Sequence, residues 1–266
     1  MAVIVSRPPM TRTEIDLPRI RRLPLLDGAS AETFALLTRE AAIAHLEPGG
    51  LVAAQGESDD QLYLLLEGAI LLEGAWNGRE ADLALLQPPA TLMLASAVLG
   101  GPNLVTARAL SSSAVLAIPG QAVRQALGRD AGFGRAVAEE LAGCFSGLVR
   151  TFKNHRLRGA QERLASYLLT QQQRQGGGPT LRLPCRKRRL ASLLGMTPEN
   201  LSRALASLVP YGVEIDGVQI TLSEPLALAR LAAPDPLIDN HVSSADGTGQ
   251  AERERRRFVR MQLNPA

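Results

Sequence analysis

Cysteine is nearly absent. Cys144 and Cys185 are the two in 266 residues, too few for a disulfide framework and for the four thiolates of an iron–sulfur cluster. Aromatic residues make up 3%, so any core must rest on Leu, Ala and Val. No uninterrupted apolar stretch approaches the about 20 residues of a membrane helix. The opening MAVIVSRPPMTR has too short an apolar run for a secretory signal. These gaps point to a cytoplasmic chain without membrane contact. There is no HExxH, GxSxG, P-loop or paired CxxC, and Gly100-Gly101 opens no phosphate loop, so the chain does not read as an enzyme.

Charge is present but divided. The net charge of +3 hides eleven acids against Arg39 and Arg79 between Asp27 and Leu86, and eleven bases against Glu162 between Arg150 and Leu190. An acidic front half cannot hold a polyanion, whereas the basic back half can. A charge run can also be no more than a solvated face, so what adjoins it matters.

What adjoins it is Leu190 to Leu208, LASLLGMTPENLSRALASL. Leu190, Ala191, Leu193 and Leu194 give a first helix an apolar face. Gly195 can close it with positive φ. Thr197 can cap a second helix, Pro198 suits its first turn and Glu199 favours its positive start. Leu201, Ala204, Leu205 and Leu208 form one buried stripe, leaving Pro198, Glu199, Ser202 and Arg203 outward. This pattern fits a DNA recognition helix, although an ordinary helical hairpin has the same turn spacing. The next residues, VPYGVEIDGVQI, place two β-prone runs around Asp216-Gly217, a hairpin signal. Helix-turn-helix plus hairpin is a winged helix. Thr197 and the run Arg186, Lys187, Arg188 and Arg189 are placed to meet phosphates, while Pro198, Glu199, Ser202 and Arg203 face bases.

The remaining chain divides by texture. Residues 1–22, with Pro8-Pro9 and Pro18, read as a flexible arm. Ala29 to His45 reads as a helix capped by Ser30. Short β-prone runs follow at 51–54, 62–66, 69–73, 81–86, 106–110 and 114–118, with a hairpin signal at Asn77-Gly78, so residues 23–132 read as an antiparallel β-roll. Residues 133–158 read as one long helix. Its Ala138, Leu141, Phe145, Leu148, Phe152 and His155 step by 3 and 4, a seam that would pair with a copy of itself. Residues 159–233 carry the winged helix-turn-helix. Residues 234–266 read as a disordered tail with a helical patch near Arg253 to Met261. The fold class expected is α+β.

The order β-roll, dimerisation helix, winged helix resembles the bacterial Crp–Fnr superfamily of transcription regulators. Glu47-Pro48-Gly49, Gln55-Gly56-Glu57, Leu62 to Gly68 and Ala107-Arg108-Ala109 resemble its cyclic-nucleotide-binding-like jelly roll. Gln161 to Ala165 resembles the first helix of its DNA-binding domain, and Thr197 to Arg203 its recognition helix. The resemblance spans roughly residues 24–231. It implies a homodimer on promoter DNA, working with RNA polymerase. In the branch similar to the fumarate-nitrate reduction regulator, Glu-x-x-Ser-Arg reads a TTGA-type half-site, and Glu199, Ser202 and Arg203 match it. Arg suits guanine and Glu can accept from cytosine; the plainer assignment makes Glu199 a helix-dipole partner and Arg203 a phosphate contact.

The effector is not written so plainly. The family's cyclic-nucleotide pocket has a Gly-Glu pair for the ribose and, further on, Arg-Ser or Arg-Thr for the phosphate. Here Ala90 to Thr106, ATLMLASAVLGGPNLVT, holds no charge, which disfavours cyclic AMP. Two cysteines disfavour the family's oxygen-sensing iron–sulfur cluster. The apolar run Leu92 to Leu99 leaves haem open, with His45 as the conceivable ligand, though a lone His is more often a surface residue. Cys144 beside the seam is a redox switch or a plain buried thiol. The competing function is a ligand- or haem-binding interaction module whose helix-turn-helix contacts protein.

Overall fold

The computed structural model describes residues 16–239 and the backbone of Met10–Thr11. Strand β1 is Met10–Thr11. Helices α1 (Leu17–Arg21), α2 (Pro24–Asp27) and α3 (Ala31–Arg39) follow, then strands β2 (Ala42–Leu46), β3 (Leu51–Ala53), β4 (Gln61–Glu67), β5 (Ile70–Trp76), β6 (Arg79–Leu86) and β7 (Ala90–Leu92). Helix α4 (Leu94–Leu99) leads to β8 (Thr106–Ala109) and β9 (Ser113–Pro119), then to α5 (Gly120–Leu127) and the long α6 (Ala131–Leu157). The C-terminal part holds α7 (Ala160–Arg174), β10 (Thr180–Arg182), α8 (Lys187–Leu193), α9 (Pro198–Ser207), β11 (Val213–Asp216), β12 (Gln219–Leu222), α10 (Pro225–Ala232) and α11 (Pro236–Asp239). No described helix is long and apolar enough to cross a membrane.

Two compact units divide the chain. Among the described residues, one takes those up to Glu80 and 84–144, the other takes 81–83 and 145–239. The boundary therefore falls inside α6, not at residues 132 and 158 where the sequence texture changes.

In the first unit two sheets form the roll, in the orders β1-β2-β9-β4-β7 and β3-β8-β5-β6. The pairings described in both are antiparallel. Side chains between the sheets, among them Tyr63, Leu65, Ile70, Leu92, Ala107 and Val115, form one core cluster. A second cluster sets α1, α2, α3 and α5 with Phe133 and Val137 of α6 against Leu62, Leu64, Leu116 and Ile118. The cores are aliphatic, as the aromatic scarcity requires. Asn77 and Gly78 have φ of +48° and +73°, and they join β5 to β6 as a two-residue hairpin with left-handed backbone at both positions.

Three expectations are corrected. The helix proposed for Ala29 to His45 ends at Arg39, and Ala42–Leu46 is a strand paired to β9 from Ala42↔Ala117 to Leu46↔Ser113. Apolar residues at both periods made the run ambiguous, and pairing with a buried strand decides it. The arm is not loose throughout. Asp16 accepts from Arg19 N, Pro18 occupies the first turn of α1, and Ile20 is buried, so the proline starts a helix rather than breaking one. Residues 234–239 belong to the fold as well, with Ile238 buried in α11. The helical patch expected near Arg253 to Met261 lies outside the described residues.

In the second unit, α7 packs on both α10 and α9, α8 packs on α9, and the sheet order is β10-β12-β11. Asp216 pairs with Gln219, so the loop is Gly217-Val218, one residue later than the Asp-Gly signal suggests. Gly217 takes φ +60°.

Candidate nucleic-acid interface

The turn between α8 and α9 is set by local chemistry. Leu194 ends α8 and Gly195 takes φ +62°. A Cβ at Gly195 would lie 2.6 Å from Nδ1 of His155, so a glycine is needed both for the backbone angle and for the approach of the long helix. Met196 N donates to Ala191 O at 2.8 Å. Thr197 then caps α9, its hydroxyl accepting from Asn200 N at 3.2 Å, and Pro198 fills the first turn. Leu201, Ala204, Leu205 and Leu208 are buried together with Leu190, Ala191 and Leu194 of the first helix.

That packing turns Pro198, Glu199, Ser202 and Arg203 outward, all exposed. Glu199's own backbone N–H, the Thr197 hydroxyl and the Arg203 charge hold its carboxyl below the usual carboxylate range, so at neutral pH it is an acceptor. Ser202 Oγ donates to Pro198 O at 3.0 Å. Arg203 Nη2 donates to Asn200 Oδ1 at 2.6 Å. The sequence pattern by itself assigns Asn200 no role. Its place three residues before Arg203 on one helix face was the available signal.

Arg186, Lys187 and Arg188 are exposed at the start of α8. Arg189 differs: its Nη1 pairs with Asp82 Oδ1 at 3.1 Å. The Asp82 backbone N–H also donates to Ser192 Oγ at 2.8 Å. The wing tip, Asp216 to Gln219, is exposed. The arrangement combines an exposed polar helix face, neighbouring cations and a β-hairpin.

The seam of α6 is only partly free. Phe145, Leu148 and Phe152 are 68%, 67% and 65% exposed, far more than apolar side chains of a lone helix warrant. Leu141 instead packs on the core of the first unit, and His155 lies against Gly195. Cys144 is exposed, while Cys185 is buried. Partial desolvation, then the Glu140 charge, pushes the Cys144 thiol up, and burial, then Asp82, does the same to Cys185. Neither thiol is activated.

In the roll, residues 90–106 form β7, the six-residue α4 and a loop. Asn103 is buried, donating to Asp59 Oδ1 and accepting from Ser96 Oγ. Arg124 reaches this stretch, its Nη1 donating to Ala97 O at 2.7 Å. Its two Nη atoms also grip Asp60 at 2.7 and 2.9 Å. His45 is exposed on β2 between buried Ala44 and Leu46, so its side chain points away from the roll interior and offers no axial haem ligand there. Among the described residues no cluster of His, Cys, Asp and Glu could hold a metal ion.

Comparison with known proteins matches both units. Residues 162–231 match the Crp-like helix-turn-helix domain, and residues 43–130 match the cyclic nucleotide-binding domain. The nitrogen fixation regulation protein FixK of Rhizobium meliloti is 29% identical over 194 residues, 71% of this chain and 86% of its own length. The CRP-like cAMP-activated global transcriptional regulator of Mycobacterium tuberculosis is 23% identical over 223 residues, 80% of this chain and 98% of its own. The solved structure of FixK2 from Bradyrhizobium japonicum shares the fold at a TM-score of 0.65 and 24% identity, covering 73% of this chain and 98% of that one.

Proposed function

We propose that this chain is a regulator of the Crp–Fnr type: a homodimeric, sequence-specific regulator of transcription that reads a palindromic TTGA-like site. The observation that carries the reading is the face of α9. Glu199, Ser202 and Arg203 stand exposed on a helix whose other side is buried, beside the exposed cations Arg186, Lys187 and Arg188. An ionised carboxylate and a guanidinium one turn apart suit cytosine N4 and guanine O6 and N7. Thr197 and the three free cations would meet phosphates, with Arg189 joining them only on release from Asp82. Phe145, Leu148 and Phe152 would bury one another across a twofold axis. Two α9 helices about 34 Å apart would then enter successive major grooves. Promoter DNA and RNA polymerase are the partners this role calls for, and the cytoplasm is its place.

Cyclic AMP is not the effector in this reading. The residues do not fit a cyclic nucleotide: 90–106 supply no cation, Arg124 already serves Asp60 and Ala97, and a buried phosphate without a partner is costly. An iron–sulfur cluster and haem fare no better on two unactivated thiols and an outward His45. The roll's signal is therefore of another class. Selection of bound DNA from a random pool tests the reading. Enrichment of a palindrome with two TTGA-like halves is expected. Binding with no enriched sequence, or capture of a protein partner through α9, would overturn it.

A further inference from the structure

The segment after the matched helix-turn-helix domain, which ends at residue 231, does not leave the fold. Ala233 turns the chain with φ +42°, and α11 brings Asp239 onto Arg158. Arg158 Nη1 reaches Asp239 Oδ1 at 2.5 Å and Nη2 reaches Oδ2 at 2.7 Å. The two side chains are 7% and 18% exposed. A charged pair that deep persists only with paired and hydrogen-bonded geometry, and it has it. Ser166 Oγ donates to Asp239, Asp235 N donates to its Oδ2 at 2.7 Å, and Arg158 Nη2 also donates to Ala233 O at 3.1 Å. Lys153 Nζ of α6 adds a bond to Leu237 O at 3.3 Å.

The clasp closes on a joint. Arg158 and Gly159 are the two residues between α6 and α7, and a glycine at such a link leaves the backbone free to swing. The bonds run on from the joint to the reading head. Arg163 Nη1 donates to Arg158 O at 2.6 Å, and its Nε donates to Leu194 O at 3.1 Å. Leu194 ends α8, and three residues later Thr197 caps α9. Side chains from residues 158, 163 and 239 thus tie the joint to the turn that carries the recognition helix.

We propose that Asp239 is a positioning residue, which through Arg158 locks the 158–159 joint and fixes the angle at which α9 is held on the end of α6. The inference rests on the DNA-binding reading for its consequence: a twofold dimer must present both α9 helices at one spacing, so freedom at each joint costs affinity for a site of fixed spacing more than for a lone half-site.

Because Asp239→Asn leaves a buried guanidinium uncompensated and can unfold the domain, it is paired with Arg158→Met/Asp239→Leu, which removes both charges and keeps the volume. Thermal melting checks folding. The first readout needs no DNA: spin labels at Ser146→Cys and Ala206→Cys, with Cys144→Ser and Cys185→Ala, report the distance between α6 and α9. The parent should give a narrow distribution and the double variant a broad one. The second readout is binding to the selected palindrome, to the same halves moved by one base pair, and to a single half. The variant should lose about tenfold on the palindrome, within the usual range of coupling between sites, lose spacing preference, and bind the single half as the parent does. An unchanged distance distribution in the folded variant, or an equal loss on all three DNAs, would overturn the proposal. If the parent itself selects no palindrome, the DNA-binding reading fails, and the distance distribution still judges the clasp.

Discussion

The guanidinium of Arg203 is held by the side chain of Asn200, Nη2 to Oδ1 at 2.6 Å, on the exposed face of the same helix. One donor is spent on Asn200, and the remaining donors of the fork stay free for an edge with two acceptors. A side chain already oriented loses less freedom on binding than a free one. Arg203→Ala should cost about 1–3 kcal/mol per half-site and relax the preference at one base pair. Asn200→Ala should weaken the same preference by a smaller amount. Equal loss on operator and random DNA for Arg203→Ala would reassign that residue to the phosphates.

Arg188→Ala should weaken binding to all sequences alike and lower the slope of log K against log salt by about 1, because a phosphate contact releases counterions without reading bases. Arg189→Ala should change the slope less, since Asp82 already neutralises that guanidinium. Titrations at several salt concentrations separate the two variants.

Leu148→Lys with Phe152→Lys should give monomers by sedimentation that no longer bind a palindrome, because like charges would face each other across the seam. Leu141 is the wrong site for this test. It packs on the core of the first unit, so a lysine there would also damage the roll.

Asp130 joins two helix starts. Its carboxylate accepts from Ser30 N at 2.7 Å, before α3, and from Phe133 N at 3.0 Å, in the first turn of α6. The Ser30 and Phe133 backbone donors, followed by the Thr33 and Ser30 hydroxyls, hold its carboxyl well below the usual range. A depressed folded value means that the stabilisation is fully present above the unfolded value of about 3.9 and is lost as pH falls below it toward the folded value. Asp130→Asn should therefore lower Tm at pH 7, and its gap to the parent should narrow below about pH 4. A gap constant with pH would show that the charge contributes nothing.

Cyclic AMP should give no heat in calorimetry at micromolar protein. Micromolar binding abolished by substitution within residues 90–106 would show that the roll finds a phosphate partner other than Arg124.

Much of this was legible before any coordinate. Gly195, Thr197 and Pro198 mark the turn and cap by their own backbone preferences, and the Leu201 to Leu208 stripe fixes which face of α9 is free. Asn77-Gly78 set its hairpin for the same reason: the left-handed angles it needs are a property of those residues, not of their neighbours. Periodicity failed where it was ambiguous. Ala42–Leu46 continues an apolar run that fits helix or strand, and only the partner β9, about seventy residues away, selects the strand. Charge failed where pairing is distant. Arg158 and Arg189 look like any other bases in a basic run, yet one is buried against a carboxylate 81 residues on and the other is held by Asp82, 107 residues back. Sequence determined the elements whose signals lie within a turn of helix or a hairpin, because those rest on short-range sterics and hydrogen bonds. Tertiary structure decided which cations of the basic run are paired and where residues 236–239 close onto Arg158, because an ion pair depends on distance in space and the sequence records only order.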